Sequence, residues 1–133
     1  AGGPLSMALF GPVPPTQRAA LLARFRRRHV AAGTTVIWRG EAGHAFVLVV
    51  RGRLELRAPA AIHAVAAIGP GDYVGEASLL ARGPAAWHVV ATVDSELLVL
   101  GPDDFHDIVG AFPALAAELR ATAAGRPDPG LTT

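Results

Sequence analysis

Glycine residues interrupt this chain at short intervals between Val30 and Leu100, and the runs between them have the length of strands. In one run, Leu54 and Leu56 alternate with charged neighbours, which is the period-two pattern of a strand with one buried face. Many short strands joined by glycine turns are typical of a β-sandwich or a jelly roll. The candidate strands are 35–38, 44–50, 54–57, 63–68, 87–93 and 96–100.

Helices are predicted on both sides of the β region. Pro14 and Pro15 suit the first turn of a helix, and an apolar stripe then extends this predicted helix to Arg28. Pro102 opens a second helix, and residues 114–124 form a third after a corner at Phe112 and Pro113. The predicted fold class is therefore mainly β with flanking helices. It is a double-stranded β-helix, or jelly-roll barrel, of about eight strands, with one N-terminal helix and two C-terminal helices.

A chain of 133 residues has the size of a single domain. We interpret residues 1–8 as a lead-in or a vector-derived remnant, 9–124 as the domain, and the glycine- and proline-rich residues 125–133 as a linker or tail. No apolar run approaches the length of a membrane span, and there are no cysteines. We therefore expect a cytoplasmic domain without membrane contact. Arginine without any lysine indicates a genomic composition bias, and we expect a bacterial source.

The basic residues include one local cluster, which the prediction places at the end of the first helix: Arg24, Arg26, Arg27, Arg28 and His29. Positive side chains there would complement the helix dipole while facing solvent. A docking surface for an acidic partner is the alternative. The net charge of +1 provides no broad attraction to nucleic acid, so we expect no direct nucleic-acid contact.

The stretch from Gly75 to Ala91 reads Gly-Glu-Ala-Ser-Leu-Leu-Ala-Arg-Gly-Pro-Ala-Ala-Trp-His-Val-Val-Ala. A glycine permits close approach of the backbone, and the turn after it has N–H groups available for an anion. The stretch resembles the phosphate-binding cassette of cyclic nucleotide-binding domains, in which Gly-Glu-x-Ala-Leu-Leu is followed by Pro-Arg-x-Ala-Thr-Val-x-Ala. Weaker matches between Leu9 and Leu119 extend the resemblance to catabolite-activator-type effector domains and kinase regulatory subunits.

The resemblance implies cyclic AMP or cyclic GMP as the ligand, and no other cofactor. Glu76 would accept a hydrogen bond from the ribose 2′-hydroxyl, although an acid at the start of a helix also has a purely structural explanation. Ser78 is either a packing residue or a hydroxyl donor. The implied ligand-binding residues are Gly75, Glu76, Ala77, Ser78, Arg82, Ala85, Ala86, Trp87 and His88.

Two positions depart from the family pattern. Ala85 takes the place of the arginine that would bind the phosphate, and Ala86 follows where a hydroxyl residue is common. Ligand binding should therefore be weakened, unless Arg82 in the cassette loop or His88 as an imidazolium supplies the missing charge. Trp87, bulky where the family usually has alanine, would either fill part of the pocket or stack on the base.

Three functions remain open. The first is a regulatory sensor of cyclic nucleotide-binding type, with weakened or altered ligand binding, that controls an attached output domain. The alternative is a pseudo-sensor that binds no nucleotide and serves as a protein-interaction or dimerisation module. A different small ligand, held by Leu80, Trp87 and Val89, is the third. An enzyme is not expected, because the sequence contains neither a metal-ligand spacing of histidines nor a nucleophile motif.

Overall fold

Two antiparallel sheets form the body of the molecule, and the computed structural model describes residues 8–58 and 64–126. In chain order the elements are a 3₁₀ turn (Ala8–Phe10), α1 (Pro15–Leu22), β1 (Arg26–Val30), β2 (Thr35–Ile37), β3 (Phe46–Arg51), β4 (Leu54–Arg57), β5 (Ala66–Ile68), β6 (Tyr73–Val74), α2 (Glu76–Leu80), β7 (His88–Ala91), β8 (Ser95–Leu100), α3 (Pro102–Ala111) and α4 (Pro113–Ala124).

The strand order is β1-β8-β3-β6 in the first sheet and β2-β7-β4-β5 in the second. Every pairing joins neighbours in an antiparallel ladder, with Arg28 opposite Leu97 and Leu56 opposite Val89 as examples. Within the described residues the two sheets are not closed into a barrel. The predicted mainly β jelly roll with flanking helices is confirmed, as a sandwich of two open sheets.

Strand β3 separates two apolar cores, because its first four residues are all buried. Phe46 and Leu48 face a cluster that includes residues of α1, α3 and α4. Val47 and Val49 face the opposite cluster, which lies between the two sheets. Since successive side chains of a strand point to opposite faces, one strand contributes to both cores. The molecule therefore has three layers: helices, first sheet and second sheet.

The first helix is shorter than the sequence predicts. α1 ends at Leu22, and residues 26–30 form the edge strand β1, which pairs with β8. Four of the five β1 side chains are exposed and only Val30 is buried, so no apolar alternation marks this strand in the sequence. The prediction of a helix as far as Arg28 is wrong, because the long-range ladder with β8 outweighs the local pattern.

The basic cluster consequently follows α1 and continues along β1, and its explanation by a helix dipole is also wrong. Arg27 lies 2.6 Å from the carboxylate of Glu96 in β8, and Arg51 of β3 lies 3.0 Å from the same carboxylate. Arg24 lies 3.7 Å from Asp104 in the first turn of α3. The protein's own acids therefore neutralise part of the cluster.

The remaining elements lie close to their predicted positions. α3 and α4 confirm the two C-terminal helices. The sequence does not predict β6, which has only two residues. The predicted strand 63–68 is represented by β5 from Ala66, and His63 is outside the described residues. Of the helices in the described ranges, none has the length and apolar character needed to cross a membrane.

Candidate ligand-binding site

A cavity of about 340 Å³ lies between the second sheet and α2. Its wall is mainly apolar, and small-molecule sites typically combine such a wall with a few polar groups in a volume of about 300–1,000 Å³. Four of the lining residues carry polar side chains: His44, Glu76, Ser78 and Arg126. The other lining residues are Ile37, Leu56, Val74, Gly75, Ala77, Ala81, Gly83, Pro84, Ala85, Ala86, Trp87, Val89 and Ala123.

Gly75 forms the turn between β6 and α2 and has a φ of +101°. A Cβ at this position would lie 2.8 Å from the carbonyl oxygen of Ala45, so both the backbone angle and the crowding favour glycine. The turn places the next residue, Glu76, at the start of α2 with its side chain completely buried. The first two residues of the cassette thus set a carboxylate in the wall of the cavity.

The two carboxylate oxygens of Glu76 have different surroundings. Oε1 accepts a hydrogen bond from Nε of Arg126 at 2.7 Å, while Oε2 has no hydrogen-bond partner among the described residues. Arg126 also donates through Nη2 to the backbone carbonyl of Tyr73. Because an unpaired polar atom in a buried site costs free energy, Oε2 is an acceptor suited to a ligand donor.

His44 is the second buried polar residue of the cavity, with 2% of its surface exposed. Its Nδ1 lies 3.2 Å from the carbonyl oxygen of Ala45, and its Nε2 has no partner among the described residues. Nothing in the sequence around His44 indicates a pocket, so this residue is not predicted as part of the site. In the described ranges, no group of three His, Asp or Glu residues could hold a metal ion.

Most of the residues that the sequence assigns to ligand binding line this cavity. Gly75, Glu76, Ala77 and Ser78 approach it from one side, and Ala85, Ala86 and Trp87 from another. Ala85 is held by backbone hydrogen bonds, since its N–H donates to Glu41 at 3.0 Å and its carbonyl accepts from Gly40 at 2.7 Å. Trp87 is 7% exposed and packs in the core between the sheets, and the cavity remains open beside it.

Three other residues proposed from the sequence are not among the lining residues. Arg82 is exposed at the tip of the cassette loop, with a φ of 55°. His88 lies on the face of β7 opposite Val89, where its Nδ1 accepts a hydrogen bond from the backbone N–H of Arg39 at 3.1 Å. Leu80 packs against the helix-side core. Neither Arg82 nor His88 therefore brings a positive charge to the cavity.

Arg126 is a second functional candidate that sequence reasoning missed. It follows the helix-ending Gly125, in the segment interpreted as a linker or tail. Packing of α4 against α2 brings it to Glu76, fifty positions earlier in the chain. No local pattern could have indicated this contact, because it depends on how two helices pack after a long excursion of the chain.

Tyr73 connects α4 to the strand that precedes the cassette. Its hydroxyl forms a hydrogen bond with the hydroxyl of Thr122. Burial raises the pKa of the Tyr73 phenol, and the nearby Glu76 carboxylate raises it further, while the Thr122 hydrogen bond acts in the opposite direction. The phenol is therefore held in its neutral form, which suits its place beneath α4.

A sandwich of two sheets with an apolar cavity and an unpaired buried carboxylate oxygen is typical of a small-molecule-binding domain. Residues 27–111 match the family model for the cyclic nucleotide-binding domain, which is more than half of the chain. The chain belongs to the cyclic nucleotide-binding domain family and is a regulatory domain of that type, which confirms the family that the sequence resembles.

Two relatives and one solved structure illustrate the match. The chain is 32% identical over 121 residues to the cyclic AMP receptor protein of Thermus thermophilus, covering 89% of this chain and 56% of the relative. The cAMP-dependent protein kinase regulatory subunit of Yarrowia lipolytica is 40% identical over 81 residues, which are 61% of this chain and 22% of the relative. The crystal structure of the Thermus thermophilus catabolite activator protein has a TM-score of 0.75 at 31% identity, covering 92% of this chain and 57% of that chain. The chain therefore spans little more than half of the Thermus thermophilus relative and about a fifth of the Yarrowia lipolytica relative.

Proposed function

We propose that this domain binds a cyclic nucleotide in the cavity beside α2 and controls an output segment of the protein to which it belongs. The observation that carries this proposal is Oε2 of Glu76, which is completely buried in the cavity wall without a partner among the described residues. A hydroxyl group of a ligand would pair with this oxygen and recover the free energy that its burial costs. The relatives named for cyclic AMP support a cyclic nucleotide as the first candidate.

Binding is expected to be weak for this family. Ala85 and Ala86 offer only methyl groups to the cavity, where the cassette pattern has an arginine followed by a hydroxyl residue. Loss of one partner of a desolvated charge pair costs about 2–5 kcal/mol. That cost corresponds to an affinity lower by about 30-fold to several thousand-fold, before any compensation from elsewhere in the cavity.

The route to the output segment is expected to run through α4. This helix packs against α2, and Arg126 and Thr122 join its end to Glu76 and Tyr73. A ligand that binds at Glu76 therefore contacts the group that holds the end of α4. The position of α4 responds only if the ligand binds its two arrangements with different affinities, as any population shift requires.

A pseudo-sensor is the second candidate, and the ion pair between Glu76 and Arg126 favours it. The pair, at 2.7 Å, satisfies one oxygen of Glu76 and Nε of Arg126 without any ligand, and Nη2 of Arg126 donates to the carbonyl oxygen of Tyr73. A domain in which this contact is permanent would keep the fold as a module for protein interaction or dimerisation. The two candidates differ in whether a nucleotide binds at all.

Calorimetric titration and thermal denaturation with cyclic AMP and cyclic GMP distinguish the two candidates. A sensor gives heat on binding and a melting temperature that rises with ligand concentration up to the millimolar range. The variant Ala85→Arg restores the cassette guanidinium and should bind the same nucleotide more tightly. If neither nucleotide binds at millimolar concentration, and Ala85→Arg gains nothing, the sensor proposal is wrong and the pseudo-sensor is favoured.

A further inference from the structure

We propose that Arg126, just beyond the end of α4, supplies the positive charge for the phosphate of the bound nucleotide, in place of the cassette position occupied by Ala85. The inference rests on the proposed function, because it names the residue that would recognise the anionic part of the ligand in the same cavity. The phosphate contact would then come from the residue that follows the C-terminal helix and not from the cassette loop.

Arg126 is the only arginine or lysine among the described residues that line the cavity. Its side chain is 17% exposed, whereas Arg82 is exposed at the loop tip and His88 bonds to the backbone on the outer face of β7. The two cations that the sequence suggests are thus directed elsewhere. An anion buried in this cavity has one guanidinium within its walls, and an unpaired buried anion would be strongly disfavoured.

The guanidinium of Arg126 retains donors for such an anion. Of its five N–H groups, the one on Nε is engaged by Glu76 and one on Nη2 by the carbonyl oxygen of Tyr73. No residue in the described ranges accepts a hydrogen bond from Nη1. Because the guanidinium is planar and carries donors on separate edges, it can hold a carboxylate at one edge and phosphate oxygens at another.

Glu76 likewise has one engaged atom and one available atom. Its Oε1 accepts a hydrogen bond from Arg126, and its Oε2 has no partner among the described residues. A ligand hydroxyl can donate to Oε2 while the ion pair remains intact. Ligand binding therefore does not require the Glu76–Arg126 pair to separate. The pair presents one acceptor for a sugar hydroxyl and several donors for a phosphate, which are the two polar ends of a cyclic nucleotide.

The test compares each nucleotide with the nucleoside that lacks its phosphate. The 133-residue chain is titrated calorimetrically with cyclic AMP and adenosine, and with cyclic GMP and guanosine. The ratio of the two affinities isolates the contribution of the phosphate. Arg126→Gln is expected to lower this ratio by at least about 30-fold. Arg126→Lys, which keeps the charge but not the planar fork, should lower it less.

Two further variants control for an effect on folding. Ala85→Arg introduced into Arg126→Gln should restore much of the ratio, because it returns a guanidinium to the cavity from the cassette side. Arg82→Gln removes a cassette arginine that lies outside the cavity and should leave the ratio unchanged. If Arg126→Gln does not fold, as thermal denaturation will show, Arg126→Lys decides: a lowered ratio supports the inference, and an unchanged ratio overturns it.

The possible results separate this inference from the proposed function. If the nucleotide and nucleoside affinities fall together in Arg126→Gln, or if Arg82→Gln lowers the ratio instead, Arg126 supports only the fold and the inference is overturned. Nucleotide binding by the unmodified chain would still support the proposed function in either case. If the unmodified chain binds no nucleotide and no nucleoside, both proposals are overturned.

Discussion

The hydroxyl groups of Tyr73 and Thr122 are hydrogen bonded to each other, which joins β6 to the last turns of α4. The backbone carbonyl of Tyr73 also accepts a hydrogen bond from Arg126. The residue two positions before Gly75 is therefore held at two points by the end of α4. A displacement of α4 would act directly on the turn that leads into α2.

Removal of the Tyr73 hydroxyl should loosen α4 without unfolding the domain. Tyr73→Phe keeps the buried ring and loses one hydrogen bond, and we expect the free energy of unfolding to fall by about 1 kcal/mol. Amide hydrogen exchange should accelerate in α4 more than in α3. Thr122→Val removes the same bond from the other side and serves as the matched control. Equal exchange rates in α4 before and after both substitutions would contradict this role for the bond.

Alkaline pH should destabilise the folded domain through the same residue. Burial raises the pKa of Tyr73 above its usual value of about 10, so the folded state retains the phenolic proton more strongly than the unfolded chain. This contribution is complete below about pH 10 and is lost as the pH rises through the folded pKa. Tyr73 is the single tyrosine of the chain. Urea denaturation between about pH 8 and 11 should therefore show a steeper decline for the unmodified protein than for Tyr73→Phe.

Acidic pH should destabilise the folded domain through Glu96, which is 4% exposed and faces Arg27 and Arg51. The hydrogen bonds from Arg51, and the charge of Arg27, lower the pKa of this carboxyl. In the unfolded chain the pKa of this carboxyl is about 4.3. The ion pairs of Glu96 therefore contribute their full stability above that pH, and the contribution is lost as the pH falls through the lower pKa of the folded state. In urea denaturation between about pH 2 and 7, Glu96→Gln should show a weaker loss of stability below pH 4. An unchanged pH profile would exclude Glu96 as a contributor.

Gly75 should tolerate a methyl group poorly. Its φ of +101° and the 2.8 Å approach of a Cβ to the carbonyl oxygen of Ala45 both oppose alanine, so Gly75→Ala should lower the free energy of unfolding by about 1–3 kcal/mol. Gly83 is a matched control from the same cassette, since a Cβ there would meet nothing within 4 Å. Chemical denaturation of both variants measures the difference. Similar stabilities for the two would mean that the turn adjusts without strain.

Replacing His44 with an apolar residue should raise the stability of the domain and weaken ligand binding. Because Nε2 is buried without a partner among the described residues, His44→Leu should raise the stability of the ligand-free domain by about 1 kcal/mol. The same substitution removes a polar contact to the ligand and should weaken nucleotide and nucleoside binding alike, by about fivefold. Thermal denaturation and calorimetry measure the two effects. A variant that binds as tightly as the unmodified chain would show that Nε2 does not contact the ligand.

The jelly roll can be predicted from the sequence because its strands and turns are marked by local residue patterns. Leu54 and Leu56 are buried and alternate with partly exposed polar neighbours, and Gly75 marks the turn into α2. β1 is missed for the opposite reason, since Arg26–His29 face solvent and only the ladder with β8 makes them a strand. A charged run on an edge strand has the same local pattern as a solvated helix end.

The candidate site divides in the same way between local and distant information. Glu76 and Ala85 are recognised from the cassette pattern, and both line the cavity. Arg126 and His44 enter it from segments that carry no motif, because α4 packs on α2 and the start of β3 packs under Gly75. Such contacts depend on tertiary packing, which a single sequence does not encode in any short window.

The double burial of β3 has a consequence for how the domain melts. Phe46 and Leu48 belong to the helix-side core, while Val47 and Val49 belong to the core between the sheets. Neither core can lose its packing without exposing one face of the strand they share. The helices and the second sheet are thereby joined into one cooperative unit, so that a change in either layer alters the free energy of both.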